Sequence, residues 1–392
     1  MTDSHRLALV LGFTQTLAWA TTFYLPAVII GPAAATLHCS TTELLVGYSW
    51  SLLVAGLVSP RVGAWIDRHG GRGALATGTV VMAAGLLMLG AWPSLVGWYA
   101  AWTVIGAGMA MGLYDAAFAT IGGLLGSQAR PAIVGVTLLA GFASTIGWPA
   151  GVALIHRFDW RATAAIYAGV QLAVNLPLIL ALIPRAAPVA PVLPTTATTE
   201  TTSHGGLFVL LLLGAFFCVR AAISAVVSVH ALTLLRGVGL DAVAAVGVAA
   251  LFGPSQVFGR VLEWSFGRWI DPLTGSWMGA ALLPLGVASL LLGGPAVGFA
   301  VAYGMSNGIL TISRGTLPMF LFGPRGYATR LGRLALPQLL AQAVAPTAAA
   351  PLVASLPAPA IFGGLGIAAV VALLCLLPLR RLGTGQAFAI GR

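Results

Sequence analysis

The chain contains no lysine; all 19 of its basic residues are arginine. A phosphate-cradling nucleotide loop needs a lysine to reach the phosphates, so no such hydrolysis engine is built into it. Schiff-base chemistry with retinal or pyridoxal is excluded on the same ground. Acidic residues are scarce too, nine in 392, and charged residues of all kinds make up only 7%. The three cysteines, Cys39, Cys218 and Cys375, are too far apart for metal-ligand spacing and are expected to be small buried packers. Of the six histidines, His5, His38, His69, His156 and His204 fall at segment ends, loops or tails, and only His230 is embedded. No pair has ligand spacing and no His–Ser–Asp arrangement can be read out. The expectation is therefore no metal, no cofactor and no catalytic residue: not an enzyme.

What the chain does have is oil. Hydrophobic residues are 59% of it and its mean hydropathy is +0.97. No soluble core needs that much apolar surface, so most of the chain must have lipid as its solvent. A membrane-crossing helix takes about 20 apolar residues. Twelve such runs fit, near 7–30, 43–64, 74–92, 95–124, 131–155, 162–184, 206–234, 241–267, 273–293, 295–322, 331–355 and 358–379. The strict alternation expected of a membrane β-barrel is absent. The first run is too long for a cleaved leader and is read as a retained helix. The fold class is an all-α membrane protein of twelve transmembrane helices.

The net charge of +10 is not a nucleic-acid footprint, because the arginines are segregated. With an inward N-terminus, Arg6, Arg61, Arg68, Arg72, Arg130, Arg185, Arg268, Arg325, Arg330, Arg333, Arg380, Arg381 and Arg392 fall on one side. Only Arg157, Arg161 and Arg236 fall on the other. That asymmetry expects a multi-pass protein of the inner (plasma) membrane with both termini cytoplasmic. Arg220, Arg260 and Arg314 remain inside spans.

The chain also repeats itself. Arg61-Val-Gly-Ala-Trp65 is answered by Arg260-Val-Leu-Glu-Trp264, 199 residues later. Asp115 and Arg314 share that offset, and Pro149 and Pro346 are 197 apart. Between the halves, 185–206 is rich in Pro, Thr and Ala without periodicity, as in a flexible linker. The expected organisation is a six-helix bundle over 1–184, a cytoplasmic linker over 185–206 and a second six-helix bundle over 207–392. Small residues are dense, with Gly106, Gly108 and Gly112 in span 4 and Gly135, Gly141, Gly147 and Gly151 in span 5, which suits close helix packing. Trp148-Pro149 is the expected bend of span 5.

Twelve spans, a six-plus-six duplication and the charged hinge Gly63-x-x-x-Asp67-Arg68-x-Gly70-x-Arg72 after span 2 resemble the major facilitator superfamily over the whole chain. The resemblance implies two pseudo-symmetric bundles, a protein that functions as a monomer, and a conformational role for Gly63, Asp67, Arg68, Gly70 and Arg72. In the family, the Asp and Arg of this turn pair with neighbouring helices on the cytoplasmic side. A carboxylate near a helix N-terminus and an Arg near a C-terminus suit the helix dipoles. Gly71 stands where members often carry a further basic residue. Trp102, four residues before Gly106, and Gly147-Trp-Pro149-Ala-Gly151 both depart from the drug/proton antiporter pattern. Arg260, late in span 8, is similar to the carboxylate-gripping Arg of monocarboxylate-type and oxalate/formate-type members.

Charges inside spans cost several kcal/mol unless paired or wetted, about 2.5–3.5 kcal/mol on insertion scales, so they are functional candidates. Arg220 lies 13 residues after Leu207, roughly 20 Å into span 7. Ser224 and Ser228 follow on its face. A guanidinium beside hydroxyls suits a carboxylate or other oxyanion, and a structural Arg bonded to span-end carbonyls is the bland alternative. The resemblance places spans 1, 4, 7 and 10 around the cavity, making Gln15, Thr22 and Asn307 further substrate-binding candidates, with Trp19 and Thr311 on the same stripes; Arg260 of span 8 is a candidate through its likeness to the carboxylate-gripping Arg. Asp115, roughly 26 Å into span 4 counted from Trp98, and Arg314 in span 10 are read as a proton-coupling or gating pair, or a permanent ion pair. Arg260 and Glu263 share a face of span 8, for gating or for substrate.

The expectation is a secondary active transporter working by alternating access, moving a small carboxylate-like anion with or against protons. Its partners would be a small-molecule substrate and the lipid bilayer, with no nucleic acid. The rival is a proton-antiport efflux carrier for drugs or other toxic small molecules.

Overall fold

The computed structural model describes residues 3–185, 204–267 and 269–379. Most of the expected linker, 186–203, lies outside them, as do Arg268, Arg380, Arg381 and Arg392. Among the described residues, twelve helices are long and apolar enough to cross a membrane. Spans 1 to 6 are Ser4–Leu37, Thr41–His69, Gly71–Ala91, Leu95–Gln128, Arg130–Arg157 and Trp160–Leu182. Spans 7 to 12 are Gly206–Gly237, Ala242–Phe266, Pro272–Leu291, Ala296–Phe322, Tyr327–Ser355 and Ala358–Leu379. The chain is a multi-pass membrane protein.

The starts of these helices explain where the acidic residues went. Ser40 and Glu43 form a reciprocal capping box at the start of span 2, the Glu43 amide donating to Ser40 Oγ and the Ser40 amide to Glu43 Oε2. Asp159 accepts from the Ala162 amide before span 6, and Asp241 from the Ala244 amide before span 8. Asp271 accepts from the Leu273 and Thr274 amides before span 9. Burial tends to raise the Asp271 carboxyl, but hydrogen bonds from the Thr274 hydroxyl and the two amides outweigh it and hold it below the usual carboxylate range.

The charged hinge after span 2 is narrower than expected. The helix runs on to His69, so Gly63, Asp67 and Arg68 are helical and the reversal is carried by Gly70 alone, at φ 80°. Nothing from Gly63 to His69 breaks a helix, whereas Gly70 takes the positive φ without strain. Four spans of the first half are interrupted. Span 1 has a turn at Thr22–Leu25, span 4 breaks at Leu113, and span 6 carries a π-helical turn over Gln171–Asn175. Span 5 breaks at Gly141–Phe142; the bend expected at Pro149 is not its main interruption, since Pro149 lies within the helix Ala143–Arg157. Phe142, at φ −85° and ψ 0°, is the residue that leaves helical geometry.

The chain divides into two compact units, Met1–Pro191 with Phe322–Leu336, and Val192–Leu321 with Pro337–Arg392. The first ten residues of span 11 therefore group with the N-terminal spans, for a reason given below. In the first unit spans 2 and 4 cross so closely that a Cβ on Gly106 would stand 2.3 Å from the Ser51 carbonyl oxygen. In the second, spans 8 and 10 cross the same way, and a Cβ on Gly308 would stand 2.1 Å from the Gln256 carbonyl oxygen. Equivalent spans meeting by equivalent close approach is the structural form of the repeat. The core of the second unit is apolar, with Ile223, Val227, Leu283, Val287, Phe299 and Phe362 buried together.

Gly308→Ala should lower the melting temperature of the detergent-purified protein, since the added methyl meets backbone and overpacking costs about 1–3 kcal/mol. Gly363→Ala, in span 12 with open space at its Cβ position, should be neutral or stabilising by up to about 1 kcal/mol. Equal effects at the two positions would refute the close crossing.

Candidate functional site

Within the first unit, Asp67 is the fifth acid at work on backbone or helix ends. Its carboxylate accepts from the Ala328 amide at 3.2 Å, the Thr329 amide at 2.8 Å and the Thr329 hydroxyl at 2.5 Å. Those are the first amides of span 11, which have no partner in their own helix. Asp67 thus caps a helix 260 residues away in sequence, and the start of that helix packs with the first unit. Gly63 and Gly332 make the approach possible. A Cβ on Gly63 would stand 2.2 Å from the Ala328 oxygen, and one on Gly332 2.3 Å from the Ser59 oxygen. Arg330 in the same turn lies over the Phe322 ring at 4.9 Å and donates to the Arg325 carbonyl. Arg72 donates to the carbonyl of Leu180, in the last turn of span 6. One charged motif therefore serves the N-terminus of one helix and the C-terminus of another, each with the sign its dipole favours. Arg68 is exposed.

Asp115 does not lie in an unbroken helix. The break at Leu113 puts it in the first turn of the helix Tyr114–Leu125, where a dipole favours negative charge. The break is served from span 1: Gln15 Nε2 donates to the Gly112 carbonyl at 2.7 Å. Asp115 lines a small cavity with Ser59, Gly63, Ala110, Ala328 and Gly332, and the Tyr327 phenol is within electrostatic reach of it. Gln15 is buried with its Oε1 unpartnered, and Thr22 is fully buried, its hydroxyl turned onto the Ala18 carbonyl of its own helix.

In the second unit the polar stripe of span 7 meets span 10. Arg220 Nη2 donates to Asn307 Oδ1 at 2.5 Å, and Ser224 and Ser228 each lie 3.4 Å from the Tyr303 hydroxyl. Tyr303 and Asn307 are one turn apart, so the two stripes run antiparallel in matching register. Arg220 Nη1 is shut off from solvent and has no hydrogen-bond partner. Ser306 Oγ, beside Asn307, is in the same condition. The Thr311 hydroxyl is turned back onto the Asn307 carbonyl. Arg260 is buried on span 8, Glu263 lies against Gly275 of span 9, and Arg314 is half-buried on span 10.

Arg220 and Asn307, expected on separate stripes, are hydrogen-bonded to each other, and Ser224 meets Tyr303. Sequence reasoning missed Tyr303, whose i−4 spacing from Asn307 was the available signal.

The fold is that of the major facilitator superfamily transporters. The human organic anion transporter MFSD10 (TETRAN) superposes with a TM-score of 0.74 at 15% identity, covering 96% of this chain and 100% of that one. FucP, a major facilitator superfamily transporter in the outward conformation, gives 0.70 at 15% identity, covering 96% and 97%. A variant of FucP, the E. coli fucose:proton symporter, gives 0.66 at the same identity and coverage. No protein-family model matches the sequence, and no curated protein matches it.

Asp67→Ala should speed amide hydrogen exchange at Ala328 and Thr329 and lower stability by about 1–2 kcal/mol, the usual loss on removing a cap. Asp67→Asn, which keeps an acceptor oxygen, should recover part of the loss. Unaltered exchange at those two amides in Asp67→Ala would show that the carboxylate does not hold this helix start.

Proposed function

We propose that the chain is a secondary active transporter that carries a small organic anion by alternating access, coupled to protons. The observation that carries the anion is Arg220. Its hydrogen-bond partner is a neutral amide, so among the described residues the positive charge sits deep in a membrane span beside Asn307 with no carboxylate bonded to it, and one guanidinium nitrogen has no acceptor. A substrate carboxylate supplies both the missing acceptor and the opposite charge. Arg220, Asn307 and Ser224 form the binding stripe, with Arg260 as a further contact. Organic anion transport by MFSD10 and proton symport by FucP are compatible with this reading, which does not rest on them.

Asp115 takes the coupling proton in this scheme, with Arg314 as the basic group of the gate. The Asp67 cap on span 11 is a contact that forms in one state of the cycle and breaks in the other. The arginine distribution supports an inner-membrane protein with both termini in the cytoplasm, and the resemblance to the superfamily supports a monomer.

Proteoliposomes holding the full chain test the proposal. Uptake of labelled benzoate or lactate should saturate, and Arg220→Ala should weaken it roughly ten- to hundredfold, as for loss of a charged hydrogen bond of about 1.5–3 kcal/mol. Arg220→Lys should recover little, because a point charge does not replace the planar fork. Uptake untouched by Arg220→Ala, or export of lipophilic cations in its place, would favour a drug-efflux carrier. In the same vesicles Asp115→Asn should abolish the response of uptake to an imposed pH gradient; an unaltered response would remove Asp115 from coupling.

A further inference from the structure

The start of span 11, which packs with the first unit, carries more positive charge than its helix can use. Arg325 sits in the turn before the helix Tyr327–Ser355, and Arg330 and Arg333 in its first two turns. A cation there opposes the helix dipole, which favours negative charge at an N-terminus. Arg330 and Arg333 are one turn apart and within electrostatic reach of each other, so they also repel. The acid within reach of Arg330 is Asp67, already bonded to the Ala328 and Thr329 amides and the Thr329 hydroxyl. Topology asks only that these arginines fall on one side of the membrane, which a loop position satisfies without opposing a dipole. Span 2 brings a fourth guanidinium to the same level. A Cβ on Gly332 would stand 3.1 Å from the Pro60 Cα, and this crossing sets Arg61 at the height of Arg330 and Arg333. Exposed positions of span 2 are apolar at Val46, Trp50 and Leu57 and basic at Arg61 and Arg68. Such a change along one helix is expected where acyl chains give way to headgroups. The backbone offers an anion nothing here, because the Tyr327 amide donates to the Pro324 carbonyl and the next two to Asp67. Recognition falls to the side chains.

We propose that Arg61, Arg325, Arg330 and Arg333 hold the phosphate of an anionic phospholipid at the start of span 11. A phosphodiester supplies the missing negative charge, relieves the repulsion between Arg330 and Arg333, and restores the sign that the helix dipole favours. Planar guanidinium forks match its two free oxygens. Arg330 is held in place by the Phe322 ring and the Arg325 carbonyl, while Arg325 and Arg333 are exposed and free to close on a headgroup. The occupant is a lipid rather than a soluble phosphate because the cluster lies at the end of an apolar stripe, along which acyl chains can lie. The site is independent of what the chain transports.

The test titrates the delipidated full chain in neutral detergent with short-chain phosphatidylglycerol, short-chain phosphatidylcholine and inorganic phosphate. Binding is read by thermal shift and by native mass spectrometry of retained lipid. Phosphatidylglycerol should stabilise the protein saturably and bind at least about tenfold tighter than phosphatidylcholine, whose choline cation meets the same arginines. Arg333→Gln, at an exposed position that the fold does not depend on, should weaken phosphatidylglycerol about fivefold. The double variant Arg330→Gln/Arg333→Gln should weaken it roughly thirtyfold, each guanidinium contributing a similar factor. Arg157→Gln, an exposed arginine in the last turn of span 5, is the control for net charge and should leave binding unchanged. Equal affinity for the two lipids, undiminished binding in both Arg333 variants, or the same loss in Arg157→Gln overturns the site. Stabilisation by inorganic phosphate at the same concentrations, with displacement of the lipid, overturns the lipid as its occupant.

Discussion

A helix in an apolar medium leaves its first amides with nowhere to go, and this chain spends its few carboxylates there. Glu43, Asp67, Asp159, Asp241 and Asp271 each accept from amides at a helix start, five of the nine acids. Asp115 stands in the first turn of another helix. The pattern follows from the first amides of every helix, which have no partner in their own helix and which a nearby carboxylate satisfies. Four of those five caps are local, within three residues. Asp67 is the exception, and because it reaches across 260 residues it decides which unit the start of span 11 joins.

In the proposed transport cycle that contact is a latch. Three donors converge on one carboxylate, and two glycines let the backbones come within reach of each other. Everything the contact needs is lost together if the helices part, since the amides of Ala328 and Thr329 then face water and Asp67 is hydrated. An interaction whose two end states are each well solvated has a small net free energy, about 0.5–3 kcal/mol for bonds of this kind. A switch needs that property, which a buried ion pair lacks.

The number and order of the spans were legible in the sequence because hydropathy over about 20 residues is a coarse signal that lipid enforces, whereas spans 1 and 2 run past their expected ends to Leu37 and His69. The Arg61/Arg260 correspondence is a feature of the sequence; in the structure Arg61 is exposed and Arg260 buried. The interruptions were not legible. Leu113, Phe142 and the turn at Gln171–Asn175 carry no proline, and the proline that seemed to mark a bend, Pro149, lies within a helix. Whether a membrane helix breaks depends on a distant donor such as Gln15 taking up the freed Gly112 carbonyl, and one-dimensional patterns do not show distant donors. Gln15 and Thr22 illustrate the same limit. Their polar character was visible, but not that one amide serves a helix break and one hydroxyl its own backbone.

Arg220 differs from all of these because its own bonding is incomplete. Asp67, Arg72 and the capping acids satisfy backbone groups that would exist in any arrangement of this fold. Arg220 satisfies an amide side chain, Asn307, which a leucine pair would replace with no backbone left wanting. Replacing such polar groups by apolar ones of similar volume is often neutral or stabilising. Stability therefore gives no reason to keep a guanidinium there, and a half-bonded one gives a reason against it. A permanent anionic partner would remove the penalty but also fill the place, whereas Asn307 orients the fork and leaves its charge available. In the proposed transport cycle the residue is one half of an interaction whose other half, the substrate anion, arrives and departs.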